Sequence, residues 1–244
     1  MMEMIMQILS YPFMVRAFVV GILVSLCAAL LGVSLVLKQY SMIGDGLSHV
    51  SYGALSIALA CGIAPLKLSI PVVVVSAFLL LRMTENNKMK SDAAIAALSA
   101  SALAVGVSVT ALTTGMTTDV CSYMFGSILA MTQEDVVLSV ILSVVVLMLF
   151  IFSYHNIFAV TFDENFSKAT GVRVGAYNTL LSVLTAVTIV LGMQMMGAML
   201  ISSLIIFPAL TSMRLFKSFR AVIVCSGILS VVCFCTGMIV SYCI

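Results

Sequence analysis

Asp45 and His49 stand four residues apart in the stretch SMIGDGLSHVSYGALSIALACG, residues 41–62, at the entrance of a strongly apolar segment. On a helix, four residues advance about 400° and rise about 6 Å, so the two side chains share a face one turn apart. A carboxylate oxygen beside an imidazole nitrogen suits a divalent transition metal such as zinc, manganese or iron, whereas magnesium and calcium favour oxygens alone. Ionisable groups inside a membrane span are costly, which makes both residues functional candidates. A structural alternative stands beside this one: Asp45, flanked by Gly44 and Gly46, caps the helix amino terminus, and His49 hydrogen-bonds a neighbouring backbone group. Ser48 does not complete a catalytic triad, because adjacent helical residues point about 100° apart. The other histidine, His155, lies at the end of a different apolar run.

The elements that must carry this pair are membrane helices. Of 244 residues, 63% are hydrophobic and 8% charged, with a mean hydropathy of +1.27, against an apolar share of roughly half in soluble domains. A net charge of +2 offers no footprint for nucleic acid. The amino end, MMEMIMQILSYPFM, lacks a basic n-region and a small-residue cleavage site, so the first apolar helix is expected to be retained. About 20 apolar residues cross the hydrocarbon. Cutting the chain at its polar clusters gives eight spans, over residues 12–37, 45–61, 66–81, 93–114, 136–154, 176–193, 195–215 and 219–242. The expected fold is all-α, one polytopic transmembrane domain over residues 1–244. An outside amino terminus places Lys38, Arg82, Lys88, Lys90, Lys168, Arg173, Arg214, Lys217 and Arg220 on the cytoplasmic side. Only Arg16 and Lys67 fall outside, and both termini face outward. Residues 117–135, TTDVCSYMFGSILAMTQED, are too short for a straight span and read as a re-entrant or interfacial helix on the outer side.

Small residues recur every four positions at Gly21, Ser25 and Ala29 and again at Ala93, Ala97 and Ser101, a spacing that lets helix backbones approach closely in lipid. Seven cysteines include no Cys-x-x-Cys pair; Cys27, Cys61, Cys225, Cys233, Cys235 and Cys243 lie in or beside apolar runs and read as small buried hydrophobes. GMQMMGAMLISS puts Met195 and Met199 on one helical face, either as soft donors for copper(I) or, in a chain with 18 methionines, as packing. The longest cytoplasmic loop, HNIFAVTFDENFSKATGVRVG over residues 155–175, reads as a short helix at 163–170. Asp163 and Glu164 open it, Lys168 stands late, and Gly171 caps it. Phe162, Phe166 and Ala169 give it an apolar side for the lipid interface or for a docked protein.

With these elements placed, the sequence resembles the membrane permeases of bacterial zinc, manganese and iron ABC importers along nearly its whole length. IGDGLSH, DVCSYMFGSIL, FDENFSKATGV and MMGAMLISSLIIFPALTSMRL occur in that family's order. The resemblance implies a homodimer in the bacterial cytoplasmic membrane, with the translocation path between protomers. It also implies an extracytoplasmic metal-binding protein that delivers the ion and a pair of cytoplasmic ABC ATPases. These would dock on the loop helix, with Asp163, Glu164, Phe166, Lys168, Ala169 and Gly171 as the coupling residues. The family's metal-contacting aspartate and histidine map onto Asp45 and His49. ATP is expected on the partner chain, since this one has no Gly-x-x-x-x-Gly-Lys-Ser/Thr loop and no segment long enough for a nucleotide-binding domain. The chain is then a transport subunit and not an enzyme, without a permanently bound cofactor, and with the transported ion as its ligand. The rival is a proton-coupled secondary metal-ion transporter in which Asp45 and His49 relay protons; such folds are commonly built from inverted repeats, and the sequence has none.

Overall fold

The computed structural model describes residues 12–40, 42–85, 91–113, 126 and 132–243. Among them the chain forms ten helices and no strand: α1 (Pro12–Leu37), α2 (Ile43–Ala60), α3 (Pro65–Glu85), α4 (Ser91–Leu112), α5 (Gln133–Phe152), α6 (Tyr154–Phe162), α7 (Glu164–Ala169), α8 (Val174–Met196), α9 (Ala198–Leu215) and α10 (Phe219–Cys243). The eight long helices coincide one for one with the eight spans read from the sequence. Six of them are long and apolar enough to cross a membrane by length and composition. In α3 the apolar run Lys67–Leu80 is shorter, and α2 is diluted by polar side chains, of which Ser48, Ser51 and Ser56 are buried. Burial among other helices relieves α2 of the need for a lipid-compatible surface.

The edges differ where backbone chemistry, not hydropathy, stops a helix. The break expected at residue 194 falls at Gly197, whose φ of 85° and ψ of 165° suit a residue without Cβ. α5 begins at Gln133, before the expected 136, because Thr132 and Asp135 form a reciprocal capping box: the Thr132 hydroxyl accepts from the Asp135 N–H at 3.2 Å, and the Asp135 carboxylate accepts from the Thr132 N–H at 3.2 Å. The expected re-entrant helix at 117–135 lies outside the described residues, apart from Gly126 and 132–135. Gly126 (φ 79°) leaves no room for a Cβ against the backbone of residues 195–197.

The core is built on α1 and α8, both largely buried, whereas α4 and α5 turn most of their surface outward. Gly32 of α1 lies so close to the Ile205 carbonyl of α9 that a Cβ could not be accommodated. The Gly21, Ser25, Ala29 row meets α10: Phe234 covers Gly21, Ser230 Oγ donates to the Ser25 carbonyl at 3.0 Å, and Ser226 Oγ to the Ala29 carbonyl at 3.3 Å. Small residues and hydroxyl bonds hold helices together where lipid offers no hydrophobic contrast. The second row does not behave this way. Ala93, Ala97 and Ser101 are exposed, and α4 instead meets α2 through Gly106 and Ala102, which abut Tyr52 and Gly53. The methionine pair is also divided. Met195 is buried at the end of α8, while Met199 is 80% exposed on α9 beyond the Gly197 break. Of the cysteines, Cys27 is buried as expected, but Cys61 and Cys233 are exposed.

Candidate functional site

The site begins in the turn between α1 and α2. Hydrogen bonds from Gln39 N–H to Val36 O (3.1 Å) and from Tyr40 N–H to Leu35 O (2.9 Å) close the end of α1. They require a left-handed residue at position 39, where the chain has Gln39 with φ 61° and not the usual glycine. Ile43 N–H then donates to Tyr40 O at 3.1 Å, so α2 starts almost without slack. Its N-cap is Met42, which supplies no side-chain hydrogen bond. Asp45 therefore does not cap the helix; it stands in the first turn, where its charge suits the positive helix end.

Gly44 and Gly46 have a packing role. A Cβ on Gly44 would meet Ile205 Cδ1 at 3.3 Å and Ser202 Cα at 3.5 Å on α9, and one on Gly46 would meet Ile95 Cγ2 of α4 at 2.6 Å. Gly53 continues the second contact, with Ala102 O 2.8 Å from its Cβ position. With α2 gripped on these faces, Asp45 is left exposed and His49 half-buried one turn on. His49 Nε2 lies 3.7 Å from Asp45 Oδ2, too far for a hydrogen bond. Two donors each about 2.1 Å from one tetrahedral metal stand about 3.4 Å apart, so the pair needs little adjustment to share an ion. Among the described residues, no group of three or more His, Cys, Asp or Glu side chains could hold a metal. Ser48 Oγ donates to the Gly44 carbonyl at 2.7 Å and takes no part in the pair.

At the loop, α7 follows the expected design. Asp163 Oδ1 accepts from the N–H groups of Asn165 and Phe166, both at 2.9 Å, and Gly171 (φ 84°) ends the turn. Phe166, Lys168 and Ala169 are exposed. Phe162 is not on this helix. It ends α6, a helix where a loop is expected, in which Tyr154, Phe158 and Phe162 at four-residue spacing all contact the Phe219 ring. That aromatic spacing is the signal by which α6 could have been found. Asn156 Nδ2, donating to Tyr177 Oη at 2.6 Å, ties α6 to α8.

Glu164 joins a cluster that spacing alone does not reveal. Lys38 Nζ donates to Glu164 Oε1 at 2.8 Å and to Asn178 Oδ1 at 2.5 Å, and Asn178 Nδ2 donates to the same Glu164 oxygen at 3.1 Å. Partial burial pushes the Glu164 carboxyl up, but the hydrogen bonds from Lys38 and Asn178 and the positive charges of Lys38 and Lys168 outweigh it, so its pKa ends below the ordinary value.

Known proteins share the sequence and the helical fold of this chain. The family model described as the ABC 3 transport family matches residues 10–244. The chain belongs to that family. A probable metal transport system membrane protein of Treponema pallidum is 32% identical over 235 residues, covering 96% of this chain and 88% of the relative. A high-affinity zinc uptake system membrane protein of Haemophilus influenzae is 27% identical, over 92% of this chain and 86% of its own. Among solved structures, a chain of PsaBC from Streptococcus pneumoniae in complex with Fab superposes with a TM-score of 0.81 at 27% identity, covering 94% of this chain and 83% of that one. ABC 3 membership bears out the resemblance to metal-importer permeases read from the four motifs.

Proposed function

We propose that this ABC 3 chain is the permease subunit of an ATP-driven importer that carries a divalent transition-metal ion (zinc, manganese or iron) into the cytoplasm. The observation that carries this reading is the Asp45/His49 pair, 3.7 Å apart on an open face of a helix otherwise gripped on both sides. One carboxylate and one imidazole form half of a tetrahedral donor set, and a second copy of the chain facing the first supplies the other half. The path then runs between two protomers. A site of two weak pairs suits transport, which must release its ion as readily as it captures it. Asp45 also offsets the positive end of α2 toward a cation.

ATP is bound and hydrolysed on a separate cytoplasmic ABC ATPase that docks on α7, whose exposed Phe166 and Ala169 offer it an apolar face. An extracytoplasmic binding protein delivers the metal, and alternating access carries it inward. The grouping of basic residues at one set of helix ends supports an orientation in the bacterial cytoplasmic membrane with both termini outside. The names of the relatives support the metal class, and the donor chemistry supports zinc, manganese or iron within it.

The test is ATP-dependent uptake of each of the three metals by permease reconstituted with its ATPase and binding protein, comparing the parent with Asp45→Asn and His49→Ala. Uptake is expected to fall at least about tenfold, a loss of about 1.4 kcal/mol or more, with assembly and basal ATP hydrolysis intact. Normal uptake by both variants overturns the assignment of the pair. Uptake abolished by a protonophore with ATP intact overturns the ATP-driven reading.

A further inference from the structure

Lys38 is an almost completely buried cation, only 9% exposed, whose two acceptors belong to two other elements: Glu164 is the first residue of α7, and Asn178 lies in the second turn of α8. Because Asn178 also donates to Glu164, the three side chains form a closed ring of hydrogen bonds. On its other side, Lys38 is continuous with the turn that starts α2. That turn is locked by the bonds to Val36 O and Leu35 O and by left-handed Gln39, and Ile43, the first residue of α2, is bonded back to Tyr40 O. Ile43 also shares with Lys38 and Asn178 the wall of a cavity of about 10 Å³, room for no more than about one water. Asp45 follows Lys38 by seven positions in the chain.

We propose that Lys38 is the positioning residue that couples α7 to α2. When α7 shifts, Glu164 moves Lys38, and Lys38 moves the turn at Gln39 and Tyr40 and, through the Ile43 to Tyr40 bond, the first helical turn that bears Asp45. The inference rests on the functional reading above, in which α7 receives the motion of the ATPase and Asp45 and His49 meet the ion. A buried ammonium suits the task because leaving it without acceptors is strongly unfavourable. The contact therefore holds through a movement and does not fray. Lysine also has the length to reach two elements from a third while its stem packs along apolar neighbours.

The test uses the full permease with its ATPase and binding protein in proteoliposomes, and reads two quantities: metal ions imported per ATP hydrolysed, and the stimulation of hydrolysis by the metal-loaded binding protein. Lys38→Met preserves length and packing but deletes the charge. The expected result is retained assembly and basal hydrolysis, at least about a tenfold fall in ions imported per ATP, and loss of the stimulation. Exchanging the pair, Lys38→Glu with Glu164→Lys, is expected to restore part of both, and Lys38→Arg more. A parental ratio and parental stimulation in Lys38→Met overturn the proposal. If Lys38→Met does not assemble, the exchange pair decides: recovered assembly with recovered coupling supports the proposal, while recovered assembly without coupling, or no recovery, overturns it. Asp45→Asn in the same vesicles separates the two readings. Loss of uptake there with normal coupling in Lys38→Met removes only the Lys38 inference. A parent complex without ATP-dependent metal uptake removes both.

Discussion

Two polar clusters, one containing Lys38 and the other beginning seven positions later at Asp45, are built in opposite ways. The Lys38, Glu164, Asn178 ring is closed: every member is bonded to the other two at 3.1 Å or less, and its cation is buried. The Asp45/His49 pair is open: its groups are 3.7 Å apart, too far for a hydrogen bond, and the Asp45 side chain is 53% exposed. The difference follows from what each arrangement must leave unsatisfied. The ring spends its polar groups on contacts between three elements, whereas the pair keeps lone pairs to spare for a ligand.

That contrast can be broken most directly by separating function from stability. Asp45→Asn is expected to cost at least about tenfold in uptake while changing unfolding stability by less than about 0.5 kcal/mol, since a part-exposed pair at this distance contributes little to the fold. A large thermal destabilisation of this variant in detergent would make the pair structural. The wall behind the pair gives the next effect. Gly53→Leu drives a side chain into the Ala102 carbonyl, a backbone atom that cannot yield, and is expected to destabilise by about 3 kcal/mol or more, seen as lost yield and a lowered Tm. Gly46→Ala clashes with the Ile95 side chain and only touches its carbonyl at 3.7 Å, so a loss of about 1–2 kcal/mol is expected, with part recovered by adding Ile95→Ala. Additive losses in that double variant would remove the contact from the account.

Smaller effects sharpen the closed side. Asp163→Ala removes the cap of α7 and is expected to cost about 1 kcal/mol, read as faster hydrogen exchange at Asn165 and Phe166. Gly171→Ala meets no atom within 4 Å, so only its left-handed backbone is penalised, by about 1 kcal/mol. The smallest change is with pH. The folded Glu164 pKa lies below its ordinary value of 4.5, so the stability from its ionised form is fully present above that value and is lost as pH falls through the lowered one. Exchange protection of α7 should therefore stay level from about pH 8 to about pH 5 and weaken only in stronger acid. A midpoint between pH 6 and 7, roughly the range of free histidine, would contradict the downward displacement.

Hydropathy alone was enough to locate the eight long helices, because in lipid a chain must satisfy its backbone within each segment, and about 20 apolar residues leave few alternatives. The four-residue spacing of Asp45 and His49 likewise determined that they share a face, and Asp163 with Gly171 marked the ends of α7, since helix periodicity and capping are local. Helix α6 is marked in the sequence only by the four-residue spacing of Tyr154, Phe158 and Phe162, and the ring this face packs on, Phe219, is 57 residues beyond Phe162 in the chain. Gly44 and Gly46 were read as neighbours of a cap, yet they serve contacts with α9 and α4 that no local pattern specifies. The Met195 and Met199 face failed for a related reason, since a single left-handed glycine between them ended the helix they were assumed to share. The Lys38 ring lies wholly beyond local inference. Its members are 126 and 140 residues from Lys38, and only the packing of α1 against α8 decided that a lysine at the end of one helix would find its carboxylate at the start of another.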